Sequence, residues 1–215
     1  MALYFLVLDR LSFQEEILPG LVESWRKRSF APCKAICAKV LTRAKDFADR
    51  YYIVGETLLA QIGKGLPFDR LFWQHLAGEL LWYSAVDIPE LQTSPDTLAR
   101  LLAPQPENWA NTPREALPPI LQAHHGSRDL RIGNTFYRPE QAGWNDPSDV
   151  VRLAAYLNSV HPETWQAVDL SCVPEIPGEE REEELAYLRD WFPPLQELYA
   201  QAAQRDQVIV CEILE

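Results

Sequence analysis

Leu3-Tyr4-Phe5-Leu6-Val7-Leu8 near the start and Gln207-Val208-Ile209-Val210-Cys211-Glu212-Ile213 near the end decide the fold. Each is a short run of leucine, β-branched and aromatic side chains bounded by charged or polar residues. Such a run reads as a strand, and the first as one buried on both faces. Most of the chain between them carries helical periodicity. The simplest architecture pairs the two terminal strands in a small sheet and packs helices over it, which is a predominantly helical α+β fold. At 215 residues the length falls between one domain and two. Joining both ends in one sheet favours a single domain over 1–215, with the proline-rich stretch 103–119 as the place where a subdivision would fall.

Inward from the first strand, Ser12 is placed to cap a helix, with Glu15 in the capping-box position, and Pro19-Gly20 is expected to interrupt it. From Pro32 to Tyr51, Ile36, Val40, Leu41, Ala44, Phe47 and Ala48 recur at three- and four-residue steps, the apolar stripe of an amphipathic helix. A shorter helix over 56–62 stops at Gly63-Lys64-Gly65. Asp69 begins a helix over 70–84 that is apolar around most of its circumference, as expected of a central element. Ser94-Pro95-Asp96 opens another, to about Leu102. Further on, 130–137 reads as a strand or hairpin broken by Gly133-Asn134, and Asp146-Pro147 starts a helix to about Val160. Leu185, Leu188, Phe192, Leu195, Tyr199 and Ala202 keep one helical register, which Pro193-Pro194 is expected to divide into two pieces.

Charge narrows the function classes. Acids outnumber bases 31 to 20, for a formal charge of -11. Nucleic-acid binders need a basic face, because phosphate contacts supply most of their affinity, so a nucleic-acid partner is not expected. The imbalance is a property of the tail: residues 1–80, 81–170 and 171–215 carry +2, -5 and -8. Its densest stretch is Glu179-Glu180-Arg181-Glu182-Glu183-Glu184. The plain reading is an acidic first turn that stabilises a helix N-terminus. The functional reading is a docking surface for a protein with a basic surface, with Glu180, Glu183 and Glu184 as binding residues. The N-terminal apolar run is far shorter than the roughly 20 residues that cross a bilayer, and no signal-peptide pattern precedes it. The expectation is a cytoplasmic protein with no membrane partner and free thiols.

The strand ending at Tyr137, Pro139-Glu140-Gln141, the helix 150–160, Val173-Pro174, Glu184-Leu185-x-Tyr187-Leu188, Phe192, Leu195, Leu198-Tyr199, Ala202-Ala203 and the final strand follow one another in a recognisable order. In that order, residues 131–215 resemble the YfbM-like bacterial family, whose function is uncharacterised. The resemblance implies a bacterial α+β domain and carries over no site residue.

Three constellations have chemical content. His124-His125-Gly126-Ser127-Arg128-Asp129 gathers a base, a hydroxyl, a guanidinium and a carboxylate at a junction between a helix and a strand. His124, His125, Arg128 and Asp129 are the catalytic candidates of a small hydrolase-like enzyme, set against a plain turn with Arg128 and Asp129 paired or solvated. Trp144 and Asn145, in a loop flanking the same strand, are placed to form the rim of such a pocket or a contact anchor. Cys33 and Cys37, four apart on a helix, offer two metal ligands that His75 or the histidine pair would have to complete. Two small core residues is the plainer reading, and neither a metal nor a cofactor is expected. Phosphate-loop, nucleophile-elbow and zinc-helix motifs are absent. The leading expectation is a non-enzymatic protein-binding module acting through its acidic tail, an immunity-type role being one form of it. The hydrolase is the alternative, and oligomeric state is left open.

Overall fold

The computed structural model describes residues 2–44, 62, 65–89, 91, 95–103, 112–132, 135–136 and 142–214. β1 (Ala2–Asp9) and β6 (Gln207–Leu214) pair antiparallel along their whole length, from Ala2↔Leu214 to Asp9↔Gln207. β5 (Ala142–Asn145) pairs with the other edge of β6, and β2 (Arg128–Asp129) closes the sheet in the order β1-β6-β5-β2. On its free side β1 is met at Val7, whose N–H donates to the Asp87 carbonyl and whose carbonyl accepts from Val86. A separate two-stranded pair, β3 (Arg131–Ile132) and β4 (Thr135–Phe136), flanks Gly133-Asn134.

Alternation along the two terminal strands explains why both are apolar throughout. Phe5, Val7, Ile209 and Cys211 point to one face, and Leu6, Leu8, Val208 and Val210 to the other. Each face is covered by helices, so the chain is a predominantly helical α+β protein with its small sheet buried between two cores. One core takes α4 (Pro95–Leu102), α5 (Pro119–His125), α6 (Pro147–Asn158) and α7 (Arg181–Gln204). The other takes α1 (Leu18–Lys27), α2 (Lys34–Ala44) and α3 (Arg70–Ser84). Trp73, the largest fully buried side chain, lies on α3, the helix whose circumference is apolar.

Helix starts follow the expected chemistry at two places. The carboxylate of Asp69 accepts from the Phe72 amide at 2.8 Å, and that of Asp146 from the Asp149 amide at 2.9 Å, with Pro147 at the first helical position. Three expectations change. The first helix is capped by Asp9, which accepts from the Ser12 amide at 2.8 Å, rather than by Ser12. Pro19-Gly20 does not stop it: a π-helical stretch, Ser12–Ile17, leads into α1, and in that widened turn a proline without an N–H costs little. At Gly20 the tip of the Ile36 side chain packs against the helix. Pro193 and Pro194 do not divide the last helix either. α7 runs unbroken from Arg181 to Gln204, because Leu185, Leu188, Phe192, Leu195, Leu198, Tyr199 and Ala202 bury one stripe on both sides of the prolines. The helix predicted for 56–62, apart from Ile62, and the loop carrying Trp109 lie outside the described residues.

Candidate functional site

Two regions bear on function. The first is built where α5 ends, β2 begins and α6 starts. Gly126 ends α5 at φ +82°, a conformation that side chains resist, and its missing Cβ leaves room for the Trp144 amide and the Gly143 backbone. The next residues are thereby laid along β5, with Arg128 opposite Trp144 and Asp129 opposite Gly143. The segment 124–129 is thus a neighbour of Trp144 and Asn145, which lie in strand β5 and not in the loop expected from the sequence.

Beneath this junction lies a buried polar network. Asn145 is fully buried; its Oδ1 accepts from the Ser127 amide at 2.8 Å and the Ser127 hydroxyl at 2.6 Å. Its Nδ2 donates to the Gln122 carbonyl at 3.1 Å and the Tyr199 hydroxyl at 2.9 Å, and Tyr199 donates onward to the Ala123 carbonyl at 2.6 Å. The Gln122 side chain donates to the Glu115 and Leu117 carbonyls and accepts from Arg152 Nη2 at 2.6 Å. Every polar atom of the Asn145 side chain is therefore satisfied, which is what a buried amide requires.

Above the network opens a cleft of about 800 Å³ lined by Glu115, Gln122, Ser127, Arg128, Asp129, Asp149 and Arg152. Asp149 bridges both arginines, accepting from Arg128 Nε at 2.9 Å and Arg152 Nη2 at 3.2 Å. Arg128 also pairs with Asp146 at 2.7 Å and faces the Trp144 ring at 5.6 Å. Burial opposes ionisation of Asp146, but the Ser148 hydroxyl, the Asp149 amide and Arg128 outweigh it and hold its pKa below the usual carboxylate range. Asp129 pairs with Arg114 at 2.6 Å and Arg131 at 3.3 Å.

The catalytic candidates separate. Arg128 and Asp129 line the cleft, but the histidines do not. Both imidazoles belong to the last turn of α5, and that placement corrects their reading as loop bases. His124 is fully buried near Phe5, with Nδ1 2.8 Å from the Ile120 carbonyl, so that nitrogen carries the proton and donates. Nε2 has no partner. Burial pushes His124 down to about 4, and burial together with the Arg114 charge pushes His125 there too. The Ser127 hydroxyl gives its one proton to an amide oxygen, which is no base. Among the described residues the cleft therefore holds no nucleophile hydrogen-bonded to a base; it can bind and orient a ligand.

The binding candidates also separate. Asn145 is a core residue, not a rim residue, because its four partners enclose it. Trp144 is half-buried and folds back on Phe13, ring centres 5.2 Å apart. Glu180 and Glu183 are exposed and Glu184 is half-buried, at the start of α7. Gln122, Asp149 and Arg152 escaped sequence reading. The last two form a charged i,i+3 pair flanking the buried stripe of α6, whereas nothing local marks Gln122 as buried.

Of the thiols, Cys33, Cys37 and Cys211 are buried and Cys172 is exposed. Burial pushes Cys33 up to about 11 and Cys37 up to about 12, which disfavours the thiolates that zinc needs. His75 is exposed on α3, and among the described residues no three His, Cys, Asp or Glu side chains gather to hold a metal. None of the described helices is long and apolar enough to cross a membrane.

The second region is the N-terminal end of α7. Glu179, Glu180, Glu182 and Glu183 are exposed there, and none of them forms an ion pair among the described residues. Arg189, further along the same helix, donates to the Pro162 and Trp165 carbonyls instead. Elsewhere many acids are matched: Glu16 by Lys39, Glu23 by Arg26 and Lys27, Glu175 by Arg100. No family model, curated protein or solved structure matches this chain.

Proposed function

We propose that this protein is a non-enzymatic binding module that docks a partner protein with a basic surface on the acidic start of α7. The observation that carries the reading is the run of exposed carboxylates at Glu179, Glu180, Glu182 and Glu183, unpaired among the described residues, where many of the other acids are paired. Such a patch speeds encounter with a basic surface and selects against acidic ones. An immunity-type role, masking a basic toxin, is the form of binding that suits this field. Membership of residues 131–215 in the YfbM-like family is part of the same proposal and adds no site residue. The hydrolase alternative loses ground because neither imidazole lines the cleft and, among the described residues, the Ser127 hydroxyl has no base.

The test compares the wild-type chain with one in which Glu179, Glu180, Glu182 and Glu183 are all changed to Lys, as bait in extracts of the source organism. A basic protein retained by the wild type at low salt, released at high salt and not retained by the variant is the expected result. Equal retention of the same proteins by a variant with unchanged circular dichroism would overturn the reading.

A further inference from the structure

We propose that the cleft walled by Arg128 and Arg152 binds a small zwitterion of the amino-acid or short-peptide class, its carboxylate on the two guanidiniums and its ammonium on Glu115. The inference rests on what the cleft leaves unmatched. Asp129 is taken by Arg114 and Arg131, and Asp149 by Arg128 and Arg152. Glu115 is exposed, and among the described residues its carboxylate has no partner.

Each guanidinium has five N–H donors. Arg128 spends its Nε and Nη2 on Asp149 and Asp146, and Arg152 spends its Nη2 on Gln122, Ser127 and Asp149. Both side chains line the cleft, are 47% exposed and are held by these bonds, so N–H donors remain for a ligand. A planar carboxylate suits such forks. One side chain separates the two walls: Gln122 Nε2 lies 3.0 Å from the Glu115 carbonyl, and Oε1 of the same amide lies 2.6 Å from Arg152 Nη2. The Gln122 amide thus ties the Glu115 backbone to Arg152, and the Glu115, Arg128 and Arg152 side chains line one cleft over that fixed floor.

Whole-molecule charge selects the same class. A simple anion would approach a chain of formal charge -11 and a lining with three carboxylates against two guanidiniums. A simple cation would face both fixed guanidiniums. A zwitterion carries no net charge and meets a complement at each end. The cleft volume of about 800 Å³ lies within the range of small-ligand sites.

The inference stands independently of the acidic face of α7, and its test uses defined probes. Dialanine, N-acetyl-dialanine and dialanine amide would be titrated by calorimetry into the wild type, Glu115→Gln and Arg152→Lys. Dialanine should bind saturably, with each capped form weaker by about tenfold or more, the scale of one lost charge-assisted contact. Glu115→Gln should weaken dialanine while sparing N-acetyl-dialanine, and Arg152→Lys should weaken dialanine while sparing the amide. Arg152 also holds Gln122, so if Arg152→Lys fails to fold, the exposed Glu115→Gln decides alone. No saturable binding of dialanine, a capped form that binds equally well, or indifference to Glu115→Gln would overturn the proposal.

Discussion

His124 has one committed nitrogen and one that has no partner among the described residues, and a second proton would put an N–H there without an acceptor from them. An unfolded histidine takes up its proton near pH 6.5, whereas the folded site holds out to about 4. As pH falls through that window the unfolded chain gains a proton that the folded chain refuses, so stability is lost between those values and this contribution is flat above and below them. The loss is of the order of 3 kcal/mol by conversion of that shift. Urea denaturation from pH 7 to pH 4 should show His124→Asn with a shallower decline than the wild type; parallel curves would mean that the imidazole is not buried. Asn145 poses the complementary case, because its amide serves four groups at once. Asn145→Ala takes the acceptor from the Ser127 amide and one partner each from the Ser127 hydroxyl, the Gln122 carbonyl and the Tyr199 hydroxyl, which keep others, and should cost about 2–3 kcal/mol in chemical denaturation. A cost under about 1 kcal/mol would show that water replaces the amide.

At the level of elements, α7 tests how far packing overrides local preference. Pro193 is exposed and removes the N–H that would bond to the Arg189 carbonyl, so the helix tolerates it without using it. Pro193→Ala should therefore stabilise the protein by about 1–3 kcal/mol, read as a rise in melting temperature with unchanged helical signal. A fall would show that a bend set by the proline is required. The same helix marks the limit of what was legible in the sequence. The stripe Leu185, Leu188, Phe192, Leu195, Tyr199 and Ala202 gave its buried face, but the prolines predicted a break that the apolar contacts on either side suppress. α3 and α6 were legible almost to the residue, because Asp69, Asp146 and Pro147 act within one turn of themselves. The candidate cleft was legible only in part. Arg128 and Asp129 were found from their own neighbourhood, whereas Gln122, Asp149 and Arg152 join them through contacts 21 to 30 residues apart in the chain. His124 misled for the same reason: a histidine at a helix end looks accessible until Phe5, from the other end of the chain, is seen beside it.

In the whole molecule, pairing of β1 with β6 carries both cores, and the excess acid collects on the last part of the chain. The start of α7 presents Glu179, Glu180, Glu182 and Glu183 outward on a helix whose other face is anchored by Leu185 and Leu188. Charge at that end can therefore be changed without disturbing the packing, and association should slow as salt screens it. The most direct measurement is amide hydrogen exchange of the protein alone and in complex with the basic partner it retains. The account predicts new protection confined to the segment around 178–190, absent from the charge-reversed variant. Protection elsewhere on the surface, with 178–190 unchanged, would contradict it.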